Sequence, residues 1–278
     1  MTEYAEILYE LDETVATITI NRAQTLNALT DLTRAEIRHA LNASELNADL
    51  IGTVLTGAGK GFCSGVDMGA LGAMSEAGKI LERRYDHLKA EAGNPENDPN
   101  FKGEPLYFLG LRKPLIAAVN GVCAGFGFSY ATFCDMRFMD RGARIVSSFS
   151  PRGLVAEHGT SWMLPKLVGP SNALDIFWSS RRIEADEAYR MGWANRLCEP
   201  GQSMRDAKDY LKAVAASAAP HSLMMMKRQV YRHLARELGE AMKETMGLVN
   251  DSLARDDFKE GVAAFVQKRP PRFEKLKI

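Results

Sequence analysis

Two short apolar runs, Ile51-Gly52-Thr53-Val54-Leu55 and Pro114-Leu115-Ile116-Ala117-Ala118-Val119, each lead straight into a glycine-bearing turn, and this pairing constrains the chain more than any other feature. The turns are Thr56-Gly57-Ala58-Gly59-Lys60-Gly61-Phe62-Cys63-Ser64-Gly65-Val66-Asp67 and Asn120-Gly121-Val122-Cys123-Ala124-Gly125-Phe126-Gly127. Each run reads as a buried strand, being short, apolar and bounded by turn residues. Glycine lets a backbone bend sharply and lets another group come close, so two such turns at adjacent strand ends can aim two peptide N–H groups at one point. That geometry is an oxyanion hole. Neither turn is a familiar phosphate cradle: Gly61-Phe62 stands where a P-loop lysine and hydroxyl would be, and Gly125-Phe126-Gly127 lacks the third glycine of the dinucleotide fingerprint.

Further motifs follow in order: Ile18-Thr19-Ile20-Asn21-Arg22 with Asn27-Ala28-Leu29, Cys134-Asp135-Met136-Arg137, Gly153-Leu154-Val155-Ala156-Glu157, Trp162-Met163-Leu164-Pro165 with Leu167-Val168-Gly169, and Ala185 to Gly192. With both turns in register, the chain resembles the crotonase superfamily, the enoyl-CoA hydratases and isomerases, nearly end to end. The resemblance implies an α/β fold: a spiral of ββα units over residues 1–200, then a C-terminal helical region, 201–278, that packs subunits into trimers or hexamers. It also implies an acyl-CoA thioester as substrate, with no separate cofactor because coenzyme A is part of that substrate.

Lysine plus arginine and aspartate plus glutamate both total 35, so no net field selects nucleic acid or an acidic membrane as partner. Cys63, Cys123, Cys134 and Cys198 show neither C-x-x-C spacing nor histidines at ligand intervals, which argues against a metal site or a disulfide framework. The acidic start Met1-Thr2-Glu3-Tyr4-Ala5-Glu6 is unlike a signal peptide, and no apolar run approaches a membrane span. These features lead to the expectation of a soluble, cytoplasmic protein.

Residues 4–10 and 14–20 read as a hairpin about Asp12-Glu13, and Thr30 or Asp31 caps a helix whose Ile37, Ala40 and Leu41 share a face. A strand over 51–56 follows, and strand, turn and helix are expected to recur at 57–75, 114–134, 136–148 and 159–198. A charged helix is expected near 76–90, and the Pro-, Gly- and Asn-rich stretch 91–105 is a loop, either a lid over the acyl group or a surface insertion. Segment 74–112 is expected to read the acyl chain. Helices are expected at 203–218, 221–236, 237–254 and 256–266, the last with Phe258, Val262, Phe265 and Val266 on one face.

A thioester carbonyl that becomes an enolate places negative charge on oxygen, and two fixed amides in a dry pocket favour that state. The resemblance assigns these donors to the Ser64–Val66 turn and to Phe126, whose phenyl ring must then turn away from the thioester. Gly65 and Gly125 belong to the same substrate-binding turns. Asp67 reads more simply as a local hydrogen-bond acceptor that fixes its turn, and Cys63 and Cys123 as small packing residues. Glu157 is the candidate acid and base, at the position where enoyl-CoA isomerases place theirs. The two glutamates of typical hydratases fall on Ser129 and Phe149. One carboxylate suffices to move a proton, whereas hydration divides its work between two. Isomerisation is therefore favoured, with hydration, thioester hydrolysis and a non-catalytic acyl-CoA-binding role as alternatives. Ser129 remains a candidate substrate contact, His158 an assistant to Glu157, and Arg22 a coenzyme A phosphate contact beside Ala28, with Lys268, Arg269, Arg272 and Lys275 as further positive charge.

Overall fold

The computed structural model describes residues 3–93 and 99–277. β-Branched residues open the chain as a hairpin: β1 (Ile7–Asp12) pairs antiparallel with β2 (Val15–Ile20), with Asp12 opposite Val15. The turn falls on Glu13-Thr14, one residue later than expected, because Glu13 takes the left-handed conformation at φ +53°. In α1 (Asp31–Leu46) the Thr30 hydroxyl accepts from the Thr33 amide at 3.0 Å and the Thr33 hydroxyl accepts from the Thr30 amide at 3.2 Å. This reciprocal cap satisfies two amides that the first helical turn leaves unpaired. Ile37, Ala40 and Leu41 form the buried face.

Strand pairs then repeat. β3 (Gly52–Gly57) and β4 (Gly61–Cys63) precede α2 (Met68–Ala77); β5 (Leu115–Val119) and β6 (Val122–Ala124) precede α3 (Phe126–Phe133); β7 (Met136–Asp140) and β8 (Arg144–Val146) come next. After α4 (Thr160–Val168) and α5 (Pro170–Ser179), the core ends with β9 (Ile183–Glu184), α6 (Ala185–Arg190) and β10 (Arg196–Cys198). The first strand of each pair joins a six-stranded sheet, order β1-β2-β3-β5-β7-β10, and the second joins a four-stranded sheet, order β4-β6-β8-β9. Each unit thus adds one strand to each sheet. Parallel pairing of β4 with β6, Cys63 opposite Cys123, brings the two glycine turns side by side.

Side chains on the large sheet alternate between two cores, as the two-residue period of a strand requires. Leu115, Ala117 and Val119 face the main core, while Ile116 and Ala118 join Val54 and Phe138 in a second cluster closed by Ala207 and Leu211 of α7 (Ser203–Ala215). α7, which follows residue 200, is thus packed as a layer of the core. Beyond it, α8 (Pro220–His233), α9 (Leu238–Leu253) and α10 (Asp256–Gln267) match the expected helical tail and bury little more than Ala264. Asp135 ties α8 to the core, accepting from Lys227 Nζ and the Tyr231 hydroxyl, each at 2.8 Å.

Two expected elements are different. Residues 136–148 hold two strands and no helix, since the turn at 141–142 sends β8 directly into the small sheet. The charged helix near 76–90 is absent: α2 stops at Gly78, which takes φ +62°, and only a single turn, Asp86–Leu88, follows. There the chain is held to α1 by the Arg83 amide donating to Asp31 at 2.6 Å. Of the expected loop at 91–105, residues 94–98 lie outside the described residues. Among the described residues, no helix is long and apolar enough to cross a membrane.

Candidate active site

The first turn is shaped by what its amides and carbonyls must bind. The Asn27 side chain donates to the Ala58 and Gly61 carbonyls at 2.9 and 2.7 Å, and the Asn120 side chain donates to those of Gly57 and Gly59 at 2.8 and 3.0 Å. These side-chain amides bind carbonyls at the end of β3, in the turn and at the start of β4. Leu29 pins the end of the turn, donating to the Gly65 carbonyl at 2.7 Å and accepting from the Asp67 amide at 2.9 Å. The Ser64 amide donates to Leu26 at 2.9 Å and the Gly65 amide to Cys63 Sγ at 3.5 Å. Among the described residues, the Val66 amide has no acceptor.

The second turn offers a free amide likewise. Gly125 donates to the Val146 carbonyl at 3.0 Å, and Phe126 follows as the first residue of α3, where no preceding turn offers a carbonyl. The two turns meet glycine to glycine. Gly65 takes φ +113° and Gly125 φ +52°, and a Cβ built on Gly65 would lie 3.6 Å from the Phe126 nitrogen. Val66 and Phe126 both line a cavity of about 460 Å³, which continues into a second of about 690 Å³. Two unpaired amides beside such a cavity can hold an anionic oxygen.

Glu157 lines both chambers, with its side chain 34% exposed. Burial pushes its carboxyl above the ordinary carboxylate range. His158 Nε2 lies 3.8 Å from Glu157 Oε2, and burial together with the Arg34 guanidinium holds this imidazole down to about 4, so it is neutral at pH 7. The Phe126 ring turns into the packing: it stacks on His158 at 3.8 Å and 12°, meets Tyr130 edge-on at 5.0 Å, and lies 5.7 Å below Arg34 Cζ. A carboxylate able to exchange a proton thus shares one cavity with two free amides.

The sequence model of the enoyl-CoA hydratase/isomerase family matches residues 10–276. The chain belongs to this family. It is 30% identical to the short-chain-enoyl-CoA hydratase of Clostridium acetobutylicum, over 96% of this chain and 97% of that protein. To the 1,2-epoxyphenylacetyl-CoA isomerase of Escherichia coli it is 28% identical, over 96% and 97%. The crystal structure of an enoyl-CoA hydratase/isomerase from Mycobacterium paratuberculosis superposes with a TM-score of 0.83 at 29% identity, covering 98% of this chain and 99% of that one. The fold is that of the crotonase-type enoyl-CoA hydratases, and the chain is an enzyme of this kind.

Within this enoyl-CoA hydratase/isomerase, Ala28, Ser64, Gly65, Val66, Asp67, Gly125, Phe126 and Glu157 line one chamber, together with Phe149. Three of the expected site residues have partners within the protein. Ser64 lines the chamber, but its amide is spent on Leu26, so the free donor of that turn is Val66. Ser129 is fully buried, and its hydroxyl and amide both donate to the Gly125 carbonyl, at 3.4 and 3.1 Å, which makes it a support of the second turn. Arg22 is held by Glu6 and Asp67, each at 3.2 Å, and by the Ala28 carbonyl, so its charge is already compensated. Asp67 also accepts from the Gly69 amide at 3.0 Å as the N-cap of α2, which is its local turn-fixing reading. All four cysteines are buried and unpaired, and burial pushes the Cys63 thiol up to about 12. Lys275 is occupied by Asp49 and Arg269 by Glu260.

The larger chamber is walled by α2 and by the start of the segment 74–112 that follows from it. Met68, Leu71 and Met74 of α2 and Ile80 and Leu81 beyond it line this space, and α2 buries no residue at all. Met68, Leu71 and Met74 recur at three-residue steps and so share one face of the helix, here turned to a cavity. No described residue of 91–105 lines either chamber, and Phe101 borders a separate pocket against Trp162 and α8.

Proposed function

We propose that this enzyme isomerises an enoyl-CoA, moving the double bond between the β,γ and α,β positions. The Glu157 carboxylate removes a proton from the α-carbon of a β,γ-enoyl thioester, and the C–H electron pair becomes part of a dienolate. The Val66 and Phe126 amides hold its oxygen. The carboxyl then returns the proton to the γ-carbon, which leaves the α,β-unsaturated thioester and a regenerated carboxylate. No group beyond coenzyme A, carried by the substrate, is required.

One observation carries this reading: Glu157 is the single carboxylate lining the cavity, among the described residues, that no hydrogen bond holds. Asp67 is engaged by Gly69 and Arg22, and Asp31 by Arg34 and the Arg83 amide. The positions where hydratases carry their pair hold buried Ser129 and Phe149. The isomerase name of one relative fits this reading and the hydratase name of another fits water addition. The test is mass spectrometry of a panel of acyl-CoAs in heavy water. Deuterium gained without added water is the expected result, and Glu157→Gln is expected to slow it by about 10²–10⁴-fold. Net addition of water, or release of free coenzyme A, replaces isomerisation with hydration or hydrolysis; binding without turnover leaves a carrier.

The tail supports an assembled enzyme. Phe258, Val262, Phe265 and Val266 of α10 share a face as expected and stand exposed, Phe265 at 86%, which is the pattern of a subunit interface. The reading is a trimer or a pair of trimers, in the cytoplasm.

A further inference from the structure

His158 touches both halves of the catalytic apparatus. Its ring stacks on Phe126, whose amide is one of the two free donors, at 3.8 Å and 12°, and its Nε2 lies 3.8 Å from the Glu157 carboxylate. The residue sits at φ +55°, a left-handed conformation that strains a non-glycine residue and persists only where the surroundings impose it. The surroundings do so here. Phe126 is fixed from its other sides by the edge of Tyr130 and by Arg34, and Arg34 is in turn paired with Glu104 at 3.2 Å. The Tyr130 hydroxyl donates to the same Glu104, which closes the loop of contacts around the ring.

We propose that His158 is a positioning residue: stacked on the side chain of the second amide donor, its imidazole fixes the Glu157 carboxylate relative to the oxyanion site. The role rests on Glu157 as the proton carrier. A carboxylate on a turn has free torsions, and a transfer between two carbons of one substrate needs it to address both from one place. A neighbouring ring with a polar nitrogen limits those torsions, and the stack transmits the position of the amide to the acid. The ring must stay uncharged to do this without weakening the base, because a cation at 3.8 Å would stabilise the carboxylate. The charged groups that share its chamber are Arg34 and Asp31 from α1, Lys79 beyond α2, Arg152 from the short turn at 150–152, and Glu157 itself; burial and Arg34 keep the ring neutral.

The experiment compares the full enzyme with His158→Phe, which keeps a stacked ring and removes the nitrogen, and His158→Gln, which keeps a polar group and removes the ring. Steady-state kinetics across pH are combined with a ¹³C NMR titration of the Glu157 carboxyl, which reads the coupling without turnover. His158→Phe is expected to lower kcat about ten- to a hundredfold with KM within about twofold, and to move the Glu157 midpoint to higher pH. His158→Gln is expected to keep the midpoint near that of the parent and to lose kcat through the missing stack. Unchanged kcat and midpoint in His158→Phe, or full activity in both variants, overturns the positioning role while an inactive Glu157→Gln leaves the proton shuttle standing. A fully active Glu157→Gln removes the shuttle itself and this role with it. If His158→Phe fails to fold, His158→Gln at parental kcat still overturns it.

Discussion

Glu157 and His158 are neighbours in sequence whose charge states burial pushes toward neutrality from opposite directions. The Glu157 carboxyl is raised, so the base form is lost as pH falls through a value above the 4.5 of a free glutamate, and the acidic limb of kcat/KM is expected there. For stability, a raised carboxyl takes its proton in the folded state first, so this group favours folding as pH drops. His158 acts in the other sense. Its folded value of about 4 lies below the 6.5 of a free imidazole, so between these values the unfolded chain binds the proton first and stability is lost as pH falls. Urea unfolding at pH 7 and pH 4.5 tests this: the parent is expected to lose more stability on acidification than His158→Phe, and an equal loss would refute the assignment.

At the scale of elements, the site depends on how closely α3 is set against β4. A Cβ on Gly127 would come 2.4 Å from the Cys63 carbonyl oxygen and 2.6 Å from Cys63 Cβ, so backbone must separate to admit it. Gly127→Ala is therefore expected to cost about 1–3 kcal/mol in denaturant unfolding and to lower kcat more than KM, since it parts the two donors. Gly142→Ala meets nothing within 4 Å in the turn between β7 and β8 and serves as the neutral comparison. Stability loss without a change in kcat would mean that the turns are held together by other contacts. The same closeness explains the asparagines of the sequence motifs. Asn27 and Asn120 bind carbonyls of the first turn, a structural duty rather than a chemical one.

For the whole molecule, α7 and the later helices have different work. Residue Leu211 is fully buried against Gly52 and the large sheet, whereas α8 and α9 bury no residue. A tail with apolar residues and no core of its own needs a partner surface. Phe265→Asp is expected to shift the sedimentation coefficient toward that of a monomer while leaving far-UV circular dichroism unchanged. An unaltered assembly would exclude the α10 face from the interface.

By itself the sequence determined the order of strands and turns, the start of α1 to within a residue and the identity of both glycine turns, because these follow from local backbone chemistry and from alternation over a few residues. It also marked Glu157, Val66 and Phe126. Only the tertiary structure decided which amides are free, since Ser64 and Val66 are equivalent until Leu26 claims one of them. It likewise decided that Ser129 turns inward, that Arg22 is already neutralised by Glu6 and Asp67, and that His158 faces Glu157 across 3.8 Å. Partners in these contacts come from distant parts of the chain or from the handedness of a single turn, and a hydrogen-bond acceptor brought in from elsewhere leaves no periodicity in the sequence around the donor.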